Sequence, residues 1–407
     1  MGDFYQNGVI TTLHNLSTRS CEDMEKELVA FSKVRPMGLV LPSLYSELET
    51  KAMPDIISKL SEVPYLSQII IGLDRADEAQ YRSALKFFEQ LPQHHRVLWN
   101  DGPRLLGIHE TLRKKGLAPE QMGKGRNVWY CFGYALATDK VESLALHDCD
   151  ILTYDRNLLA RLIYPVANPN FSYEFCKGYY ARVAGGALRG RVSRLLVTPL
   201  IRALKKTLGP SDYLEYMDSY RYPLAGEFSF RIDVLNDLRI PGDWGLEVGI
   251  LSEMSRNYAT NRLSQVDIAD IYDHKHQDLS ADNTQTGLSK MSTDISKALF
   301  RKLATQGAVF NKGTFRTIKA SYYRIALDFI ETYRNDAMIN GLSLDVHQEE
   351  LAVEHFAENI IRAGDQFLES PMDKPFVPSW NRVLNAIPDI FEQLKAAVEE
   401  DNREFLG

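Results

Sequence analysis

Four short, mostly apolar runs, each separated from the next by a stretch long enough for a helix, constrain the first part of this chain most. They are Met37–Leu41, Gln68–Leu73, Arg96–Trp99 and Val141–Leu146. Their hydrophobicity is nearly continuous, as expected for strands covered on both faces. Between them, Leu44–Leu60, Asp77–Leu91 and Asn127–Leu136 carry helical signals, with Asp77 at or near an N-cap. Strands alternating with helices give βαβ units and a parallel sheet, so the expected class is α/β. Ligands of such sheets bind at the carboxyl ends of the strands. Pro42, Asp74 and Asp148 each follow a strand end.

After Asp273 the character changes. Asp278–Thr293 is polar and reads as a loop or linker, and from Asp294 onward the chain is largely helical. Ile318, Tyr322, Ile325 and Phe329 share one helical face, as do Val353, Phe356, Ile360, Ile361 and Phe367. Pro388 suits the first turn of a last helix running to Glu400. The expected organisation is residues 1–285 as one Rossmann-like domain and 286–407 as a helical extension. The extension is expected to serve packing or dimerisation.

The formal charge of -7 over 407 residues leaves no Lys/Arg excess to neutralise phosphates, which argues against a nucleic-acid binder. Four cysteines without C-x-x-C spacing argue against a disulfide framework or a zinc ribbon and fit a reducing, cytoplasmic setting. The first residues lack the apolar core of a secretory signal, and no apolar stretch is long enough to span a bilayer.

Asp148-Cys149-Asp150 is a D-x-D pair at the end of the fourth run. Two carboxylates suit a hard cation such as Mg²⁺ or Mn²⁺, and transferases that use nucleotide sugars commonly present such a pair. The Cys149 thiol is too soft for that role. Gly123-Lys124-Gly125 would let a lysine approach a diphosphate closely; a plain turn ahead of a helix accounts for it equally simply. Gly190-Arg191-Val192-Ser193 opens a basic helix, a ready anion site, although a solvated basic face has the same pattern. Gly226-Glu227 and Gly245-Leu246-Glu247 each put an acid beside a glycine, suited to sugar hydroxyls or to anomeric charge, or simply to capping. His274 and His276 alternate in a polar segment, as metal ligands or as a solvated turn.

Taken in order, LPSLYSE, GKG, HDCDI, FCKGYYARV, GRVSRLLVTPLIRAL, PLAGEF, DWGLEVGIL and DHKH resemble the retaining glucosyl-3-phosphoglycerate synthases from about Leu39 to Leu279. The resemblance implies a GT-A fold. It implies that Pro42, Ser43, Leu44 and Glu47 hold the nucleoside, with Tyr45 and Ser46 standing where the family has Asn and Glu. Asp74 would lie near the uracil, Asp148 near the ribose, and Lys124 at the diphosphate. Asp150 and His274 would bind the metal, Mg²⁺ or Mn²⁺. Gly190, Arg191 and Ser193 would form the acceptor site, with Ser193 keeping the hydroxyl of the family's Thr. His276 stands beside the acceptor where the family has Asn. Glu247 would hold the donor sugar, so that Glu247, Asp150 and Arg191 carry catalysis.

The implied reaction moves glucose from UDP-glucose to the 2-hydroxyl of 3-phosphoglycerate with retention. A front-face, oxocarbenium-like route fits, because no carboxylate is placed as a covalent nucleophile. A sister transferase using GDP-mannose or glycerate is the nearest alternative. A sugar-phosphate nucleotidyltransferase would need a Gly-rich phosphate loop after the first strand, which LPSLYSE lacks. A non-enzymatic nucleotide-sugar sensor would leave the metal and acceptor residues without purpose. The expected partners are a nucleotide sugar, a small phosphorylated acid and a second copy of the chain.

Overall fold

The structure, a computed structural model, describes residues 6, 8–241, 245–274, 287–371 and 376–406. The chain opens with β1 (Thr11–Leu13) and α1 (Cys21–Ser32), followed by β2 (Met37–Leu44), α2 (Ala52–Ser61), β3 (Leu66–Asp74), α3 (Glu78–Phe88) and β4 (His95–Trp99). Next come α4 (Pro103–Lys114), α5 (Lys124–Thr138), β5 (Ser143–Leu146), α6 (Arg156–Ala167), β6 (Phe175–Ala184) and β7 (Ala187–Leu188). A π-helical segment, Val192–Val197, runs into α7 (Thr198–Leu208), and α8 (Asp212–Asp218), β8 (Phe228–Arg231), α9 (Val234–Asp237), β9 (Ile240–Pro241), α10 (Leu246–Asn257) and β10 (Leu263–Tyr272) follow. The remainder is α11 (Gly287–Thr305), α12 (Lys312–Ile339), α13 (Val346–Glu369), β11 (Phe376–Val377), α14 (Trp380–Ala386) and α15 (Ile390–Leu406).

The main sheet has the order β1-β10-β6-β8-β5-β2-β3-β4, with β7 on β6. Along that order every pairing is parallel except those of β8, which runs antiparallel to β5 and β6. The apolar runs split by strand alternation. Val40, Ile70 and Leu98 join one core, under α4, α5, α7 and the C-terminal helices. Leu39, Leu41, Ile69, Ile71 and Val97 join another, under α1, α2, α3 and α6. This is the α/β, mostly parallel GT-A-type sheet expected, with a helical C-terminal region.

Three local expectations change. First, β2 does not stop at Pro42. It continues to Leu44, a single 3-10 turn covers Tyr45–Glu47, and the helix starts only at Ala52. The Val40 carbonyl accepts from His147, so residue 42 also faces the β5 side, where β5 has already ended. The N–H that proline lacks would have had no strand partner there. Second, of the polar segment expected as a loop over 278–293, residues 287–293 belong to a helix that starts at Gly287, and 278–286 lie outside the described residues. Its hydroxyls bond inward: Ser292 to the Ser289 carbonyl, Ser296 to the Ser292 carbonyl, and Ser289 to Asn359. A polar stretch can therefore form an interior helix when its donors are satisfied locally. Third, the last helix begins at Ile390, just past Pro388, and runs to Leu406.

The C-terminal helices lie on the sheet domain. α12 packs on α7, and the Tyr322 hydroxyl donates to the Leu195 carbonyl at 2.6 Å. α15 closes the β4 edge: Asn402 accepts from the Val97 N–H at 3.1 Å and donates to its carbonyl at 2.8 Å. The apolar faces that suggested a dimer, Ile318 and Tyr322 on α12 and Val353, Phe356 and Ile360 on α13, are buried within the chain. Among the described residues no helix is long and apolar enough to cross a membrane.

Candidate active site

The carboxyl ends of β2, β3, β5 and β10 open on one side of the sheet. Because β8 is antiparallel, its start, Gly226-Glu227, lies at that same end. The N-termini of α5 and α10 complete the rim.

Asp148 lies two residues past β5, against Gly226, where any Cβ would collide with its carboxylate. Lys124 is the first residue of α5, after Gly123 at φ 146°. Its Nζ lies 2.6 Å from Asp148 Oδ1 and 3.2 Å from Glu247 Oε1, on the first turn of α10. Burial alone would lower the Lys124 pKa, but Asp148 and Glu247 outweigh it and raise it. Burial would raise the Asp148 carboxyl, but Lys124 outweighs it and holds it low. This charged triad joins two helix N-termini to the end of β5.

Asp150 comes next. The bridge between Ile151 and His274, reinforced by the Leu152 N–H on the Asp273 carbonyl at 2.8 Å, folds the end of β10 over it. His274 Nδ1 lies 3.6 Å from Asp150 Oδ2, and both side chains are about a quarter exposed, at 23% and 25%. Glu47 accepts the Leu44 N–H at 2.9 Å. Burial, helped by the nearby Asp150 and Asp148 charges, pushes its carboxyl up to about 7. Ser43 is buried and its hydroxyl donates to the Leu44 carbonyl. At the end of β3, Asp74 accepts from Arg126 at 3.1 Å and from Asn100 at 2.8 Å, and Arg126 also reaches Asp101. Burial raises the Asp74 carboxyl against the pull of Arg126.

Beneath this rim lies a second layer. Glu227 has no exposed surface, and its two oxygens accept from Tyr180 at 2.8 Å and Tyr272 at 2.5 Å. Those rings stack at 3.7 Å. Burial, then Asp148, raises the Glu227 carboxyl. Lys177, buried on β6, donates to the Ala225 carbonyl, and burial pushes its ammonium down to about 8 against the pull of Glu247 and Glu227. His147 is also fully buried, and burial pushes its imidazole down to about 3, so the ring is neutral.

Tyr222, 4.9 Å from Tyr180 between ring centroids, leads from this layer to Gly190–Ser193. A Cβ at Gly190 (φ 77°) would lie 3.6 Å from the Tyr222 hydroxyl, and Ser193 is buried beside the same hydroxyl. Arg191 Nε bonds Glu349 on α13 at 2.7 Å.

The chain is similar over its whole length to known enzymes. It is 47% identical over 402 residues to the glucosyl-3-phosphoglycerate synthase of Persephonella marina, with 99% of each chain covered. It is 39% identical to that of Methanococcoides burtonii, again over 99% of each. The chain belongs to the glucosyl-3-phosphoglycerate synthase family. It is thus a glycosyltransferase of the hexosyltransferase type. The synthase of Mycobacterium tuberculosis is 23% identical over 60% of this chain and 68% of that one. A crystal structure of the M. tuberculosis synthase with phosphoglyceric acid has the same fold, with a TM-score of 0.52 and 19% identity over 73% of this chain and 88% of that one. No family model matches. The full-length relatives of this synthase-family chain carry the likeness beyond Leu39–Leu279, through the C-terminal helices.

The structure therefore brings Asp148, Lys124 and Glu247 together and sets Asp150 against His274, with Glu47 close by. Pro42, Ser43 and Leu44 line the end of β2, and Asp74 forms a separate buried cluster with Arg126. Gly190, Arg191 and Ser193 stand one tyrosine layer away. His276 lies outside the described residues. The sequence reading missed Lys177, Tyr180, Tyr272, Arg126 and Glu349. Lys177 carried a signal, a lysine inside an otherwise apolar strand. Glu349 carried none, since a glutamate on a long helix is normally solvated.

Proposed function

We propose that the chain transfers glucose from UDP-glucose to 3-phosphoglycerate, with retention at the anomeric carbon, in a cytoplasmic setting where its four unpaired cysteines stay reduced. The observation that carries this is the joining of Asp148, Lys124 and Glu247 beside the Asp150–His274 pair at the carboxyl ends of the strands. The M. tuberculosis synthase has been crystallised with Mn²⁺, UDP-glucose and phosphoglyceric acid, and with Mg²⁺ and UDP. Its chemistry supports the same donor and acceptor here.

Asp150 and His274 fit such a cation. Among the described residues no group of three or more His, Cys, Asp and Glu forms a closed metal site. Asp150 and His274 would hold the ion through one carboxylate and one imidazole, and a diphosphate would supply further hard oxygen ligands. When bound, the metal offsets charge on the departing nucleoside diphosphate. Lys124, held by two carboxylates, presents its ammonium to the same diphosphate. Pro42, Ser43, Leu44, Glu47 and Asp74 hold the nucleoside, and Asp148 sits near the ribose. Glu247 orients the donor sugar. Gly190, Arg191 and Ser193, with His276, hold the acceptor's anionic groups and place its hydroxyl on the leaving-group face. Glu227 has no exposed surface and both its oxygens accept from tyrosines, which argues against it as a nucleophile. That supports a front-face route in which the leaving phosphate oxygen accepts the acceptor's proton.

Thermal-shift measurements with UDP-glucose, GDP-mannose and ADP-glucose, each with Mg²⁺ or Mn²⁺, test the donor. Mass spectrometry of the product formed with 3-phosphoglycerate tests the acceptor. UDP-glucose should give the largest shift and the glucosyl adduct should form. Preference for GDP-mannose would overturn the donor assignment.

A further inference from the structure

The C-terminal helices reach the anion site. Glu349, on the first turn of α13, is buried, with 2% of its side chain exposed. One oxygen meets Arg191 Nε at 2.7 Å, and the other lies 2.9 Å from Arg194 Nη1. Arg194 is itself fixed from two further sides. Its Nε donates to the Arg189 carbonyl at 2.7 Å, and its guanidinium lies 4.8 Å from the Tyr333 ring of α12. The α13 carboxylate thus meets Arg191 and, through Arg194 of the π-helical turn, is linked to Tyr333 of α12. Arg191 remains 31% exposed. With Nε tied down, its Nη pair is the fork left to meet an anion.

We propose that Glu349 is a positioning residue for acceptor binding: it holds the Arg191 fork toward the acceptor's carboxylate or phosphate, so that α12 and α13 set acceptor affinity. A guanidinium whose Nε is already bonded loses less freedom when it grips an anion, so the helices supply preorganisation. This rests on Arg191 being an acceptor ligand, as proposed above.

The test compares the full-length wild type with Glu349→Gln and Tyr333→Leu. The substrates are UDP-glucose and 3-phosphoglycerate with Mn²⁺, and KM is measured for each substrate. Glu349→Gln should raise the acceptor KM about tenfold, leaving the donor KM and kcat within about twofold. Tyr333→Leu removes no charge and should move the acceptor KM the same way by a smaller factor. Glu349→Asp, which restores the charge, should recover part of the loss. An unchanged acceptor KM in a folded Glu349→Gln protein overturns the proposal. So does a lowered one, which would make the carboxylate a competitor of the acceptor. Should Glu349→Gln not fold, an unchanged acceptor KM in Tyr333→Leu overturns it. Absence of product from the wild type would instead be a failure of the functional assignment.

Discussion

Asp148 and Asp150 are separated only by Cys149, yet they make different contacts in the fold. Asp148 is turned to Lys124 and Asp150 to His274. Asp150→Ala and His274→Ala should each lower metal-dependent transfer by about a hundredfold or more, read as initial rate against Mn²⁺ concentration. Near wild-type rates at low metal would remove both from the metal site. Glu47 makes a pH prediction. Its folded pKa of about 7 lies above the ordinary 4.5, so its contribution to stability is full below about 4.5 and is lost as pH rises through 7. Glu47→Gln cannot ionise. Relative to wild type it should gain about 1–2 kcal/mol between pH 4.5 and pH 8, after discounting for solvent contact, as read by chemical denaturation. A parallel pH dependence in the two proteins would place Glu47 in a more solvated site. The D-x-D pair and His274 were legible as residues. Their division of labour came only from the family resemblance, not from any local pattern, because it depends on the Ile151–His274 bridge between segments far apart in sequence.

Elements bring these residues to one place, and the means differ from element to element. The alternating apolar runs of β2, β3 and β4 were legible because burial on both faces leaves a continuous hydrophobic signature. The helix expected at Leu44 was misplaced, because Pro42 looks like a strand end until β5 is seen to stop short of it. At the far edge, α15 acts as a lid on β4. Asn402 satisfies both backbone groups of Val97 in a buried setting, with 4% of the residue exposed. Asn402→Ala should therefore cost about 1–3 kcal/mol, measured by urea unfolding, and should raise hydrogen exchange at the Val97 amide. Little change in either would mean that packing of Ile390, Leu394 and Val398 holds α15 without it. No periodicity in the sequence announces a helix that pairs with a strand edge through one side chain.

The whole molecule is held by contacts that run between the sheet domain and the C-terminal helices. Trp129 on α5 stacks on Trp380 of α14 with centroids 4.1 Å apart, and their indole N–H groups donate to the Pro378 and Trp129 carbonyls. Gly133, one turn further along α5, lies flat under the Trp380 ring, where a Cβ would collide with it. Gly133→Val should destabilise the protein by about 1–3 kcal/mol through overpacking, lowering its Tm, and should disturb the region where the two tryptophans meet. An unchanged Tm would show that α14 can shift without loss. The shared core also predicts that tryptophan fluorescence and far-UV circular dichroism report one coincident unfolding transition. Two separated transitions would mark the C-terminal helices as an independent unit. The sheet class, the acidic pair, the lysine between glycines and the basic turn can be read along the chain, because each is a local pattern of hydrophobicity or of residue type. Which carboxylate meets Lys124, which tyrosines bury Glu227, and the meeting of Glu349 on α13 with Arg191 follow from packing alone. Those pairings join residues up to 158 positions apart, and distances of that kind are set by how helices pack on a sheet, not by any pattern along the chain.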